Sequence, residues 1–350
     1  MKVLYLFNGT RAGLKEKIQT GEYHGGGFWG MLQLLEFGIE SDYMEIEQTY
    51  SAGIVRFIRK HVPVYGIHLP IFWKIFSYDI VFTSSAFMSQ LAHAVLHIRK
   101  PIWVMHDFSI MSLIGEGKTL KQKMFRYMVE RSGGIVTLSN DETDRLKKAF
   151  PHLASRIELV PFGVDLDFFK PKSASAGEGV IAVGFDPERD WKTLAEAAKS
   201  VSVPITVATR ESRIAHLRPL PANVTVRQFS VKELVSAYDD AAIIVVPLNT
   251  SSGVNDAMGL STVYEGMAMG KPVIATRTKA TETYIKDGEN GLLVSEGDAA
   301  ALASTINSLL ANPEKSRKIG AAGRMYAEKH LDIHECGGKL AAFFKALKIK

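Results

Sequence analysis

The stretch from Ser251 to Thr276 holds the residues whose types and spacing could do the most chemistry. Gly259, Leu260, Ser261 and Thr262 are expected to open a helix whose leading N–H groups and dipole can hold a diphosphate, with the Ser261 and Thr262 hydroxyls in support. Glu265 follows one turn inside that helix, where a carboxylate can accept two hydrogen bonds from a ribose diol. Gly270 suits the position just past the helix end, and Pro272 opens the next strand.

Two weaker candidates lie nearer the N-terminus. His24, Gly25, Gly26, Gly27, Phe28, Trp29 and Gly30 form a glycine-rich turn leading into Met31–Leu35, which reads as a helix whose backbone N–H groups could approach an anion. The spacing is not G-x-G-x-x-G, so it does not support nicotinamide binding, and a ligand-free glycine loop is the competing reading. His106 closes an apolar run at a strand end, where open α/β sheets meet their ligands, and could donate to a sugar hydroxyl or a carbonyl. A purely structural histidine is its alternative. No His/Cys/Asp cluster at ligand spacing lies nearby, and no metal is expected.

These residues must be carried by alternating strands and helices. Apolar runs at Lys2–Phe7, Tyr78–Thr83, Pro101–Met105, Gly134–Leu138 and Arg156–Val160 read as buried parallel strands separated by helix-length segments. After a polar, small-residue break at Lys170–Gly179 the pattern restarts at Gly179–Val183, Pro204–Ala208, Asn223–Gln228, Ile243–Val246, Pro272–Ala275 and Gly291–Val294. Two α/β domains follow, in keeping with 350 residues, and Ala299–Lys350 reads as helical with a break at Pro313.

The formal charge is +5, with 21 Lys+Arg against 17 Asp+Glu in residues 1–172 and 21 against 20 in residues 173–350. The basic excess therefore sits in the first half. Between Glu47 and Asp79 there is no acidic residue, while Arg56, Arg59, Lys60 and Lys74 alternate with Phe57, Ile58, Ile71, Phe72, Trp73 and Phe76. That composition suits an anionic membrane surface; a core helix with solvated lysines, broken at Pro63 and Pro70, is the alternative. Lys118, Lys121, Lys123, Arg126 and Arg131 add a second basic stretch. No basic stretch carries a nucleic-acid-reading motif, so no nucleic-acid partner is expected. The single cysteine, Cys336, forms no internal disulfide, and the apolar N-terminal run is too short for a signal peptide. No uninterrupted run of 18 apolar residues occurs. A cytoplasmic protein is expected, peripheral on the inner face of the membrane if the basic half meets lipid.

The sequence from Glu265 to Thr276, followed by Tyr284 to Val294, closely resembles the C-terminal signature of retaining glycosyltransferases of family 4. Val160–Pro171 resembles that family's interdomain passage, as does Thr137–Ser139 ahead of the helical segment from Asp141 to Phe150. The resemblance implies an α/β GT-B fold, with two Rossmann-like domains facing across a cleft. It assigns residues 1–170, with a crossing helix at about 333–350, to an acceptor-binding domain, and residues 178–332 to a nucleotide-sugar-binding domain.

By the same resemblance Glu265 matches the second glutamate of a paired motif and the ribose ligand. The first glutamate is absent: counting back eight positions gives Ala257, and aligning on Gly259 gives Asp256, a shorter carboxylate that could reach donor-sugar hydroxyls. The diphosphate pair follows Gly184; its first position is Phe185 and its second matches Arg189, leaving Lys192 or Arg210 to supply the other cation. A surface ion pair of Arg189 with Glu188 or Asp190 is the competing reading. Phe229 and Ser230 match the nucleobase-holding turn, His106 the histidine beside the reacting sugar carbon, and Gly25–Gly27 the loop beside the diphosphate or acceptor.

The implied activity is transfer of a sugar from a nucleoside-diphosphate donor to the hydroxyl of a glycan or lipid-linked acceptor, with retention and without metal or cofactor, in cell-envelope glycan or glycolipid synthesis. His106, Asp256 and Arg189 carry the catalytic roles in that reading. Alternatives are a GT-B nucleotide-sugar epimerase and a non-catalytic sugar-nucleotide or membrane-binding module.

Overall fold

The computed structural model describes residues 1–107, 109–172, 177–251 and 257–347. Asp256 and the middle of the expected linker, 173–176, lie outside the described residues. Two all-parallel, six-stranded sheets organise the chain. The first holds β1 (Lys2–Leu6), β2 (Glu40–Tyr43), β3 (Ile80–Thr83), β4 (Ile102–His106), β5 (Gly134–Thr137) and β6 (Ile157–Leu159), in the order β2-β1-β3-β4-β5-β6. The second holds β7 (Val180–Val183), β8 (Ile205–Ala208), β9 (Val224–Arg227), β10 (Ile243–Val246), β11 (Val273–Thr276) and β12 (Leu292–Val294), in the order β12-β11-β10-β7-β8-β9. Strands such as IVFT, VIAV and IIVV are buried at every residue, as helices on both faces of a parallel sheet require.

One strand escaped the sequence reading. β2 has the sequence ESDY and leaves Glu40 and Asp42 exposed, because it is an edge strand that pairs only with β1. An edge strand needs no apolar run, and its charges discourage pairing with another chain. The expected helix at Met31–Leu35 is also corrected. Gly25–Phe28 and Leu32–Phe37 form two short 3-10 segments instead, with Gly38 closing the second at φ 74°.

By contact the chain falls into two units: Met1–Lys17, Gly27–Phe162 and His334–Lys350 in one, Ile18–Gly26 and Gly163–Ile333 in the other. The passage at Gly163 joins the second unit because Val164 is bridged to Asp332, its N–H donating to the Leu331 carbonyl and its own carbonyl accepting from the Ile333 N–H. From His334 onward the helix Ile333–Ala346 belongs to the first unit. Phe344 meets Phe82 of β3 edge to face at 5.5 Å, and a Cβ at Gly134 would lie 2.8 Å from the Phe343 ring.

The helix Ala52–His61 turns Val55 and Ile58 inward against Ile46 and Ile71 and leaves Arg56 and Lys60 in solvent, as the alternative of a core-packed helix with a solvated basic face expects. Ile54 and Phe57 are left 49% and 64% exposed, and Trp73 and Phe76, on the 3-10 segment Leu69–Ser77, 62% and 47%. Among the described residues, no helix is long and apolar enough to cross a membrane.

Candidate active site

In the second sheet the chain runs outward from β7 to β8 and β9, then returns to β7's other side at β10. The crevice beyond the carboxyl ends of β7 and β10 is therefore the switch point at which open α/β sheets bind ligands. Gly184 and Arg189 follow β7, and Gly259 to Glu265 follow β10.

The helix Leu260–Ala268 begins at Gly259, which holds φ 77° and supplies no side-chain cap. Only glycine fits there: a Cβ would stand 2.9 Å from Val246 and 3.2 Å from Arg189 Nη1, in a left-handed conformation besides. Gly270, at φ 64°, ends the helix in the expected place. Gly184 is equally constrained, since its Cβ would lie 2.0 Å from Arg189 Nε. The two glycines thus leave the channel through which the arginine side chain runs.

Arg189 is only 6% exposed, which rules out the surface pairing weighed from sequence. Its Nε faces Asp186 Oδ2 at 3.0 Å, while Asp190 instead caps the helix Trp191–Ala198. Nη2 donates to Thr262 Oγ1 at 3.2 Å, and Nη1 is buried without a hydrogen-bond partner among the described residues. Glu265 is partly buried and accepts the Tyr238 hydroxyl on Oε2 at 2.7 Å. Burial pushes its carboxyl up to about 7, opposed by Tyr238 and Arg189. Asp186 and Tyr238 were not singled out from the sequence. Asp186 sits three residues before Arg189, a readable spacing, but Tyr238 lies 27 positions from Glu265 and reads as an ordinary core residue of an amphipathic helix.

The remaining candidates scatter more widely. The Arg210 guanidinium lies 6.0 Å from the centre of the Phe185 ring, whereas Lys192 is exposed on its helix. Ser261 is exposed and Leu260 fully buried. Ser230 caps the helix Val231–Asp240, its hydroxyl accepting from the Glu233 N–H and its N–H donating to the Glu233 carboxylate. Phe229 packs under Arg227 and lines a pocket of about 350 Å³ with Val180, Thr206 and Glu233, a pocket that Arg189 and Glu265 do not share.

Gly25 and Gly26 belong to the second unit and Gly27 to the first. The Gly25 N–H donates to Asp165 Oδ2 at 2.9 Å, so one backbone donor expected to face an anion already serves a carboxylate of the chain. The Gly27 carbonyl accepts from Arg11 Nε. In the first unit His106 stands at the end of β4, 4% exposed, edge to face with Trp29 at 5.1 Å and 5.0 Å from Phe82. Burial pushes its imidazole down to about 3, so it is neutral at physiological pH.

Residues 206–326 match the family model of glycosyl transferases group 1. Among curated proteins, the putative glycosyltransferase EpsD of Bacillus subtilis is 40% identical over 85 residues, which is 24% of this chain and 22% of that protein. A GDP-mannose-dependent phosphatidylinositol monomannoside mannosyltransferase of Mycolicibacterium smegmatis is 31% identical over 34% of this chain and 31% of its own. The D-inositol 3-phosphate glycosyltransferase of the same organism is 23% identical over 85% of this chain and 72% of its own. The first two alignments thus span less than a third of the relatives they match. Two solved structures superpose over nearly the whole chain. Anabaena HepE in complex with UDP-glucose has a TM-score of 0.72 at 14% identity, covering 99% of this chain and 100% of that one. Sucrose-phosphate synthase of Thermosynechococcus elongatus has a TM-score of 0.73 at 18% identity, covering 99% of each. The fold is GT-B, built of two Rossmann-like units. The match to the glycosyl transferases group 1 family model lies wholly within the second unit.

Proposed function

We propose that this protein is a glycosyltransferase that moves a sugar from a nucleoside-diphosphate sugar to an acceptor hydroxyl with retention of configuration. The observation that carries the reading is Arg189, a buried cation whose Nη1 has no partner among the described residues and lies beside Gly259, at the uncapped start of the Leu260–Ala268 helix. A buried donor left unsatisfied is costly, and a diphosphate at the helix N-terminus would satisfy it while meeting the positive end of the dipole. Glu265, one turn further, takes the ribose. The UDP-glucose bound by Anabaena HepE supports a donor of this class.

In this reading the bond from the anomeric carbon to the β-phosphate oxygen breaks as the acceptor oxygen approaches the same face. The acceptor proton passes to the leaving diphosphate, whose growing charge is held by Arg189 and the helix dipole. Arg210 supplies the second cation, reaching the diphosphate from above Phe185. His106, neutral, donates or accepts at a donor-sugar hydroxyl, and Asp256 holds another. The mechanism calls on no metal ion and no enzymic nucleophile.

The acceptor is a glycan or lipid-linked hydroxyl of the cell envelope, reached from the cytoplasmic face. Support comes from the exposed Ile54, Phe57, Trp73 and Phe76 interleaved with Arg56, Lys60 and Lys74, a combination that suits the headgroup region of an anionic bilayer. A thermal-shift series with UDP-, GDP- and ADP-sugars tests the donor reading: one donor class should raise the unfolding midpoint, and Glu265→Ala or Arg189→Ala should abolish the rise. If no donor shifts the wild-type midpoint and none releases nucleoside diphosphate, the reading fails.

A further inference from the structure

We infer that Tyr238 is a positioning residue that fixes the Glu265 carboxylate for ribose recognition, an assignment that rests on the donor-site reading above. Tyr238, on the helix Val231–Asp240, is completely buried, and its hydroxyl donates to Glu265 Oε2 at 2.7 Å. Thr262, on the same helix as Glu265, accepts from Arg189 Nη2, and Arg189 in turn faces Asp186. One buried polar cluster therefore holds the arginine assigned to the diphosphate and the glutamate assigned to the ribose, near enough for the arginine's charge to favour ionised Glu265.

The terminal torsion of a glutamate is broad and roughly two-fold, so an unheld carboxylate presents its oxygens over a wide arc. A phenol bonded to one oxygen removes that freedom and leaves Oε1 free to meet the diol. Tyr238 is suited to the role because burial and the neighbouring carboxylate raise its own pKa well above the usual value, so it stays protonated and remains a donor. Its bond favours ionised Glu265, the form able to accept from hydroxyls, against the burial that favours the protonated acid. Packing needs only the ring, which lies 6.4 Å from that of Phe169. A hydroxyl placed in so dry a position has its use in the bond it makes.

Isothermal titration of wild type and Tyr238→Phe with UDP, GDP, ADP and their 2′-deoxy forms tests this. Wild type should prefer the ribonucleotide. Tyr238→Phe should lose roughly tenfold in affinity for it, as removing a hydrogen bond to a charged group does, and much less for the 2′-deoxy form. The acid limb of ribonucleotide binding should also move to higher pH, because the phenol that stabilises the ionised carboxyl is gone. Equal losses for both sugars with an unmoved acid limb would mean that Tyr238 only packs, and would overturn the assignment while leaving the donor site standing. Wild type that binds none of the diphosphates would overturn the donor site and this assignment together. Glu265→Gln gives a second check: it should erase the ribose preference, and adding Tyr238→Phe to it should change that preference no further. A ribose preference surviving in Glu265→Gln also refutes the inference.

Discussion

In the proposed donor site Glu265 would set recognition against stability, and its replacement by glutamine should separate the two. Its carboxyl titrates at about 7 in the folded chain against 4.5 for the unperturbed group. A carboxyl whose folded pKa is raised binds its proton more tightly when folded, so stability falls as pH rises from about 4.5 through 7 and levels off above. At ~1.36 kcal/mol per unit, the ionised side chain costs the empty site about 3 kcal/mol at pH 8 and under about 1 kcal/mol at pH 5. Glutamine, neutral and nearly isosteric, keeps the Tyr238 contact without that cost. Glu265→Gln should therefore stabilise the ligand-free protein by about 3 kcal/mol at pH 8, which for a unit of this size is a rise of roughly 6–12 °C in Tm. The gain should nearly vanish at pH 5, and nucleoside-diphosphate binding should weaken to the level of the 2′-deoxy form. Thermal and urea unfolding at the two pH values provide the measurement. A variant no more stable than wild type at pH 8, or one whose gain is the same at both pH values, would show that Glu265 is not held against its ionisation.

Gly184→Ala should weaken nucleoside-diphosphate binding by at least about tenfold, because its Cβ would displace Arg189 at Nε; unchanged affinity by titration calorimetry would remove the arginine from the site. Replacing Arg56 and Lys60 by Glu together with Phe57 and Trp73 by Ser should release the protein from anionic vesicles, and equal cosedimentation before and after would remove the membrane proposal. Arg59 is left intact because it pairs with Glu47 and donates to the Asn8 carbonyl. Gly320→Ala should cost ~1–3 kcal/mol in urea unfolding, since the helix Pro313–His330 lies so close to Gly270 that a Cβ at 320 would stand 2.2 Å from its carbonyl oxygen; a smaller effect would mean the helix can shift without loss.

Much of the second unit was legible because its signals are local. β7 to β12 are short apolar runs bounded by glycine, proline or polar residues, and their expected bounds lie within two residues of the observed ones. Gly259 and Gly270 bracket one helix within a dozen positions, and Gly184 and Arg189 stand five apart, so steric and capping rules act along the chain itself. β2 and the 3-10 segments at Gly25–Phe28 and Leu32–Phe37 were not legible. An edge strand is selected by its one neighbour rather than by its own apolarity, and that turn's fate depends on Asp165, 140 residues away, which takes the Gly25 N–H.

The sequence by itself determined two parallel α/β sheets and a basic first half studded with aromatics, and it singled out the residues proposed to meet a diphosphate and a ribose. Only the tertiary structure decided that β10 returns to pair with β7, which creates the crevice that Gly184, Arg189, Gly259 and Glu265 share. It also decided that Arg189 is buried against Asp186 and Thr262, and that Tyr238 reaches Glu265 from another helix. Strand order and side-chain meetings across 27 or 73 positions leave no periodic trace, because they are set by how helices cover a twisted sheet and which polar atoms must find partners once water is gone.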